Sequence, residues 1–168
     1  MTQGVGLAIA AEEFKHCLSR WASGVTILTS RAGDEIHGMT VSDFSGASLS
    51  PPLVSVCCSK DSITTALIAR AGCFGVNVLA SDQRELSNRF ASKKHEHERF
   101  VGLEFDQAET GAPLIAGCLV NLDCRLVATY EAGDHVIYLG EILSSRRADR
   151  DPLVYWSGGY RLLAGSDA

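Results

Sequence analysis

The stretch Val120-Asn121-Leu122-Asp123-Cys124-Arg125-Leu126 alternates apolar and polar residues without a break. Successive side chains of a strand point to opposite faces, so a period of two marks a half-buried β-strand. Glu131-Ala132-Gly133-Asp134 then supplies a turn, and residues 136–143 run back. The chain therefore carries a hairpin here, and a hairpin is an antiparallel unit.

Working outward, residues 149–152 break the returning strand and residues 153–156 form a last one. Upstream, Val25-Thr26-Ile27-Leu28-Thr29 is short and β-branched, Ala32-Gly33-Asp34 turns the chain, and residues 36–41 bring it back. Residues 53–58 and 73–79 are two more strand-like runs. Between them lies a helix with apolar positions Ile63, Ala66, Leu67 and Ala71 and a stop at Gly72. A second short helix is expected over residues 82–90. Phe14, Cys17, Leu18 and Trp21 recur at i, i+3, i+4 and i+7, which predicts an amphipathic helix over residues 12–21 that ends at Gly24. Six or seven strands joined mainly by hairpins, with three short helices, lack the strand-helix alternation of a parallel sheet. The fold expected is mainly β (α+β): an antiparallel split β-barrel with short inserted helices, because barrel closure removes exposed edges. The 168 residues, 46% of them hydrophobic, suit one domain covering residues 1–168, with no repeat or linker.

Composition narrows the function. A net charge of -5 without a clustered basic stripe argues against nucleic acid, whose backbone is bound through Lys and Arg. No run of about 18 apolar residues and no signal-peptide pattern occurs, so no membrane partner is expected and a cytoplasmic location follows. The six cysteines lie mostly in apolar runs without C-x-x-C spacing and read as buried, inert thiols. The mixed-sign run from Lys93 to Arg99 reads as a solvated loop. The histidines show no metal-ligand spacing. Gly4 and Gly6 precede the first predicted element, and neither G-x-G-x-x-G after a strand nor a P-loop occurs, which excludes the Rossmann phosphate cradle.

Three segments are candidates for a site. Residues 38–52 are rich in hydroxyls yet flanked by strands, and Pro51-Pro52 forces extended backbone. Such a stretch offers N–H groups and hydroxyls to a flat heterocycle with carbonyl acceptors; it equally suits a loop that bonds its own backbone. Ser59-Lys60-Asp61-Ser62-Ile63-Thr64-Thr65 can hold a phosphate at a helix start, or be an ordinary N-cap. Arg89-Phe90 sets a cation beside an aromatic at a helix end: a ligand contact, or a surface arginine next to a core phenylalanine. His135 opens a strand at a turn, where a histidine is either solvated or functional.

Eight blocks recur in order along residues 14–162: Trp21-Ala22-Ser23-Gly24-Val25-Thr26, His37-Gly38-Met39-Thr40-Val41-Ser42, Ser48-Leu49-Ser50-Pro51-Pro52-Leu53, Phe74-Gly75-Val76-Asn77-Val78-Leu79, Arg89-Phe90-Ala91, Gly133-Asp134-His135, Gly140-Glu141-Ile142 and Pro152-Leu153-Val154-Tyr155-Trp156. Together they resemble the short-chain flavin reductases of two-component monooxygenase systems, which adopt the FMN-binding split barrel. The chain departs from that pattern at Ser50, where an aspartate is usual, and at Asp123, often a glutamate. The resemblance implies an NADH-dependent flavin reductase of EC 1.5.1 type. It would take FMN (alternatively FAD) and NADH (alternatively NADPH), and supply reduced flavin to a separate flavin-dependent monooxygenase. It also implies a homodimer whose partner chain completes each pocket. Thr40, Val41, Ser42 and Asp43 with Ser48, Leu49 and Ser50 would line the isoalloxazine and ribityl chain. Ser59, Ser62 and Thr64 with Arg89 would hold the phosphate end, Asn77, Val78 and Phe90 would wall the pocket, and His135 would position the nicotinamide as the catalytic residue.

Hydride transfer between stacked rings needs no acidic or basic side chain for the transfer itself, which agrees with a sequence that shows no triad, paired carboxylates or metal cluster. Two rivals are a flavin-binding electron-transfer or storage protein without reductase activity, and an oxidase of the pyridoxamine-phosphate type; the second needs a basic phosphate-grasping set that the sequence lacks.

Overall fold

The computed structural model describes residues 8–94 and 96–163; His95, Gly4 and Gly6 lie outside the described residues. The strands are β1 (Ser23–Gly24), β2 (Thr26–Ala32), β3 (Glu35–Val41), β4 (Phe44–Ser48), β5 (Leu53–Ser59), β6 (Cys73–Val78), β7 (Phe105–Asp106), β8 (Leu114–Ile115), β9 (Val120–Ala132), β10 (His135–Arg147), β11 (Val154–Trp156) and β12 (Gly159–Arg161). The α-helices are α1 (Ala11–Leu18), α2 (Ile63–Ala71) and α3 (Arg84–Ala91). Seven strands form one antiparallel sheet in the order β3-β2-β6-β9-β10-β5-β4. Its two end strands are consecutive in sequence and joined by Ser42 and Asp43. The sheet thus curls round until its ends meet at a corner without pairing, which makes the split barrel. Closure is by packing and not by a ladder: Val41 of β3 and Val54 and Val56 of β5 bury their side chains in one core with Phe74, Val76 and Tyr138.

The β9-β10 hairpin is the backbone of the sheet, 13 residues on each strand. Gly133 takes the first of its two loop positions with φ 63°, the left-handed region that a two-residue hairpin loop demands there. Register shifts at Leu139/Gly140 and Ile142/Ser144 increase the local twist and help the sheet close. Leu122, Cys124 and Leu126 face the barrel core as the alternation predicts. The polar residues between them do not all face water. Asn121 and Asp123 are buried, because residues 110–115 cross the outer face of β9. Asp123 accepts the Thr110 N–H at 2.9 Å, and its other oxygen takes the Thr110 hydroxyl.

The first helix is shorter than its stripe suggests. It ends at Leu18, and tight turns from Arg20 N–H to Cys17 and from Trp21 N–H to Leu18 lead the chain into β1. There Ser23 and Gly24 pair with Tyr155 and Val154, so Gly24 is a strand residue and not a helix stop. The apolar stripe stays uncovered by described residues: Phe14 is 54%, Leu18 49% and Trp21 76% exposed. Of the cysteines, Cys17 is exposed and Cys57 half-buried, against the expectation of inert interior thiols. Burial pushes the Cys58 and Cys124 thiols up to about 12, and Cys118 to about 11.

Four further strands escape the sequence reading, the two-residue β7 and β8 among them. Residues 44–48 were expected as part of a hydroxyl-rich loop and form β4 against β5; β12 folds back on β11 through Ser157 and Gly158, whose φ values are 50° and 77°. Alternation is too short in any of them for a period to register.

Candidate functional site

Two hollows meet on the outer side of β3, where α3 lies across the barrel. Their placement depends on Gly38. A Cβ there would stand 2.8 Å from the Leu28 carbonyl oxygen and 2.9 Å from Phe90 Cε1. Its absence lets the buried ring of Phe90 settle directly on β3 and brings α3 with it. Thr40 then reaches α3, donating its hydroxyl proton to the Ser87 carbonyl at 2.7 Å.

The main cavity, about 460 Å³, lies between Thr40 and Ser42 on one side, Ser87 and Asn88 of α3, and the β11-β12 hairpin on the other. Tyr155 and Tyr160 supply flat walls, with Val25 and Ala91 beneath. The Tyr160 hydroxyl stands 2.9 Å from both Ser87 Oγ and Asn88 Oδ1, which ties the hairpin to the helix. A smaller hollow, about 260 Å³, adjoins it and shares Thr40 and Ala91 with it. Ser59 and Ser62 line its far end, facing Lys93 and Arg99. Ser62 is the N-cap of α2 and accepts the Thr64 N–H at 3.2 Å, so the ordinary capping role is met whatever else the residue does.

Arg99 reverses an expectation. The mixed signs of the run from Lys93 suggest a solvated loop, yet Arg99 is 4% exposed. It donates to the Gly38 carbonyl at 2.7 Å and to the Ser92 carbonyl at 2.5 Å, and pairs with Glu96 at 3.0 Å. Its Nε has no partner among the described residues. Burial draws the guanidinium pKa down while Glu96 holds it up, and at neutral pH it remains a cation. Beside it, burial followed by the nearby Arg99 charge pulls the His37 pKa down, so the ring is neutral at pH 7. His37 Nδ1 meets the Thr64 hydroxyl at 2.7 Å.

The residues expected at a site divide accordingly. Thr40 and Ser42 line the main cavity, Ser59, Ser62 and Phe90 the smaller one, and Asp43 stands with Ser42 at the barrel corner. Val41 points into the barrel core, as β-strand alternation from Thr40 requires, and Val78 packs against that core. Asn77 is not a pocket wall. It is wholly buried between strands, donating to the Ile27 carbonyl and Thr29 hydroxyl and accepting from Ile115 N–H and Asn121. Thr64 is turned inward on His37 and is not presented to the hollow. Arg89 is spent on the carbonyls of Glu98 and Val101, in a separate depression on the far side of α3. Ser48, Leu49 and Ser50 lie at an exposed turn, Leu49 94% exposed, and line neither cavity of this chain. His135 is set across the strands from Ser59, half-exposed, with Nδ1 on Asp134 at 2.8 Å. That bond holds the Asp134 carboxyl below its usual range. His135 lines neither cavity.

Arg84, Asn88, Lys93, Arg99 and Tyr160 enter the site unannounced. Helical spacing links Arg84, Ser87 and Asn88 on one face, a signal that was present in residues 82–90. Nothing local distinguishes Tyr160 or Arg99.

Residues 18–164 match the family model described as the Flavin reductase like domain. The chain belongs to that family. A NADH-dependent flavin reductase of Rhodococcus sp is 39% identical over 154 residues, covering 89% of this chain and 84% of the relative. The reductase subunit of a flavin-dependent monooxygenase of Rhodococcus jostii is 36% identical over 155 residues, 91% of this chain and 78% of the relative. The solved structure of the NADH:FAD oxidoreductase of Streptomyces globisporus C-1027, in complex with NAD and FAD fragments, superposes with a TM-score of 0.88 at 31% identity, covering 97% of this chain and all of that one.

The donor set fits the flavin that the family name implies. Hydroxyls and an amide with flat aromatic walls suit a neutral ring carrying carbonyl acceptors; two serines with Lys93 and Arg99, whose Nε–H is buried and unpartnered, suit a phosphate, although Asp61 and Glu96, the latter paired with Arg99, share that lining.

Proposed function

We propose that this chain reduces FMN or FAD with NADH and hands the reduced flavin to a separate flavin-dependent monooxygenase, an activity of EC 1.5.1 type exercised by residues 1–168 as one domain. The observation that carries this reading is the pair of adjoining hollows about Thr40 and Ala91: one flat-walled and uncharged apart from Arg84, the other with serines, Lys93 and Arg99 beside Asp61 and Glu96. The relatives' descriptions as flavin reductases, and as the reductase subunit of a monooxygenase, support the reaction and the kind of partner.

A bound flavin would supply a ring able to accept a hydride at N5 and to leave as reduced flavin. The chain has the other tasks. Thr40, already donating to the Ser87 carbonyl, has only acceptor capacity left for a ligand, and Ser42 and Ser87 add hydroxyls to the lining. Ser59, Ser62, Lys93 and Arg99 hold the phosphate end, taking the place expected of Thr64 and Arg89. Tyr155 and Tyr160 keep water from one face while two rings stack. His135 lines neither hollow of this chain, and its role as a positioning residue for the nicotinamide, with the imidazole held by Asp134, rests on the family resemblance alone.

The protein works as a homodimer. Phe14, Leu18 and Trp21 form an apolar stripe next to Ser42, Asp43 and Tyr155, so a second copy on that stripe would also close the corner of the cavity. Ser48, Leu49 and Ser50, outward on this chain, would then serve the pocket of the second copy, as the family resemblance implies. A reducing cytoplasmic setting accords with six unpaired cysteines; no helix among the described residues is long and apolar enough to cross a membrane.

Adding NADH to the flavin-loaded protein under argon should bleach the flavin's visible absorbance, and excess flavin in air should then be turned over catalytically. Bleaching without turnover would instead indicate an electron-transfer or storage protein, and no bleaching would end the proposal.

A further inference from the structure

Arg84 begins α3 at the rim of the main cavity. It is the one charged side chain that lines it; the others are hydroxyl, amide, aromatic and aliphatic groups and glycines. Among the described residues no carboxylate pairs with its guanidinium, and the nearby Asp82 is already taken by Arg150. Its contact is the ring of Tyr160, whose centroid lies 5.4 Å from Cζ. That ring is in turn held to Ser87 and Asn88 of the same helix. The cation therefore rests on a fixed platform, and an arginine stacked on an aromatic face still presents its in-plane N–H fork to an anion.

We propose that Arg84 recognises the diphosphate of the pyridine dinucleotide. This rests on the flavin reductase reading above and assigns a residue to the second nucleotide. Apart from Arg84 the cavity is uncharged and flat-walled, which suits uncharged rings, and a ring borne on a ribose carries its phosphates outward to the rim, where the cation stands. The flavin's own phosphate has Ser59, Ser62, Lys93 and Arg99 at the opposite end, beyond Thr40 and Ala91. Arg84 is left for the other ligand, and a forked, charge-assisted contact to phosphate oxygens is the interaction its geometry favours.

The test compares the parent protein with Arg84→Gln and Arg84→Lys, each loaded with FMN. Calorimetry with NAD+ and with ADP-ribose reads diphosphate recognition without catalysis. Steady-state rates with NADH and with N-benzyl dihydronicotinamide, a hydride donor that carries no phosphate, separate recognition from transfer. Arg84→Gln should weaken NAD+ and ADP-ribose and raise the KM for NADH by about 5- to 20-fold, while the benzyl donor and FMN affinity move by less than about twofold. Arg84→Lys should recover part of the loss, and added salt should narrow the gap between parent and Arg84→Gln. A fall in FAD affinity with unchanged NAD+ and NADH constants would move the contact to the flavin's diphosphate and overturn the assignment. So would a benzyl-donor rate that drops as far as the NADH rate, or constants that all stay within about twofold. Arg84-dependent binding of NAD+ in a protein that reduces no flavin would sink the reductase reading and leave this contact standing.

Discussion

Replacing Asn77 with alanine should cost stability and leave flavin affinity almost untouched. The side chain has no exposed surface and makes four hydrogen bonds: to the Ile27 carbonyl at 3.0 Å, the Thr29 hydroxyl at 3.2 Å, the Ile115 N–H at 2.7 Å and Asn121 Nδ2 at 2.8 Å. Each is worth about 0.5–1.5 kcal/mol net, so the four together reach about 2–6 kcal/mol. Truncation also strands the Ile115 N–H, a buried donor whose loss of a partner costs about 1–3 kcal/mol. Asn121 keeps a second acceptor in the Ile115 carbonyl at 3.0 Å, and partial relaxation there offsets some of the loss. An overall cost of about 3–5 kcal/mol is expected, at the top of the range for one substitution and a large part of a domain's stability of about 5–15 kcal/mol. Urea unfolding followed by tryptophan fluorescence gives the cost, and flavin titration of the folded variant gives the affinity. If the variant folds too poorly to titrate, Asn121→Ala removes one of the same four bonds together with its own bond to the Ile115 carbonyl, and should lose about 1–3 kcal/mol with flavin binding intact. A cost below about 1 kcal/mol, or a tenfold loss of flavin affinity at undiminished stability, would show that Asn77 belongs to the pocket after all.

Gly140→Ala should destabilise by about 1–3 kcal/mol through overpacking, since the new Cβ would run into the Phe74 ring and stand 3.0 Å from Cys124 Cβ; thermal unfolding checks this. Alkylation of the native protein at mildly alkaline pH should mark Cys17 first and spare Cys58, Cys118 and Cys124, whose thiols are held up at about 11 to 12; mass spectrometry identifies the sites, and early labelling of Cys124 would contradict its burial. The lowered His37 pKa means that the unfolded chain binds the proton first. Its contribution to stability is full above pH 6.5 and falls as the pH drops from there through the depressed native value; His37→Gln should flatten that part of the stability profile. His135→Ala should slow reduction at low NADH with flavin affinity nearly constant, and His135→Asn should cost less; stopped-flow rates equal to the parent's would reduce His135 to a turn residue.

What the sequence determined by itself were the local periods and breaks. Alternation from Val120 to Leu126, the β-branched run at Thr26–Leu28 and the turns at Gly33 and Gly133 are written in consecutive residues, and the hairpins they predict stand at β9-β10 and β2-β3. The helix stop at Gly72 is equally local, a left-handed cap with φ 68°. Ordered blocks were enough for the family, and Thr40, Ser42, Ser59, Ser62 and Phe90 lie where the two hollows are. Tertiary structure decided the rest, because facing is a property of what packs against a residue. Asn121 and Asp123 alternate like surface residues and are buried only because residues 110–115 cross them. Asn77 and Thr64 look like pocket polar groups, but their partners come from strands about 30 to 50 positions away in sequence and use them up. Arg89 and Arg99 exchange the roles their neighbourhoods suggest: the helical one is drawn to loop carbonyls, and the one in a charged run is pulled under by the Gly38 carbonyl. Tyr160 reaches the site through a hairpin that closes only when β1, β11 and β12 assemble, a pairing between chain ends that no window of sequence contains.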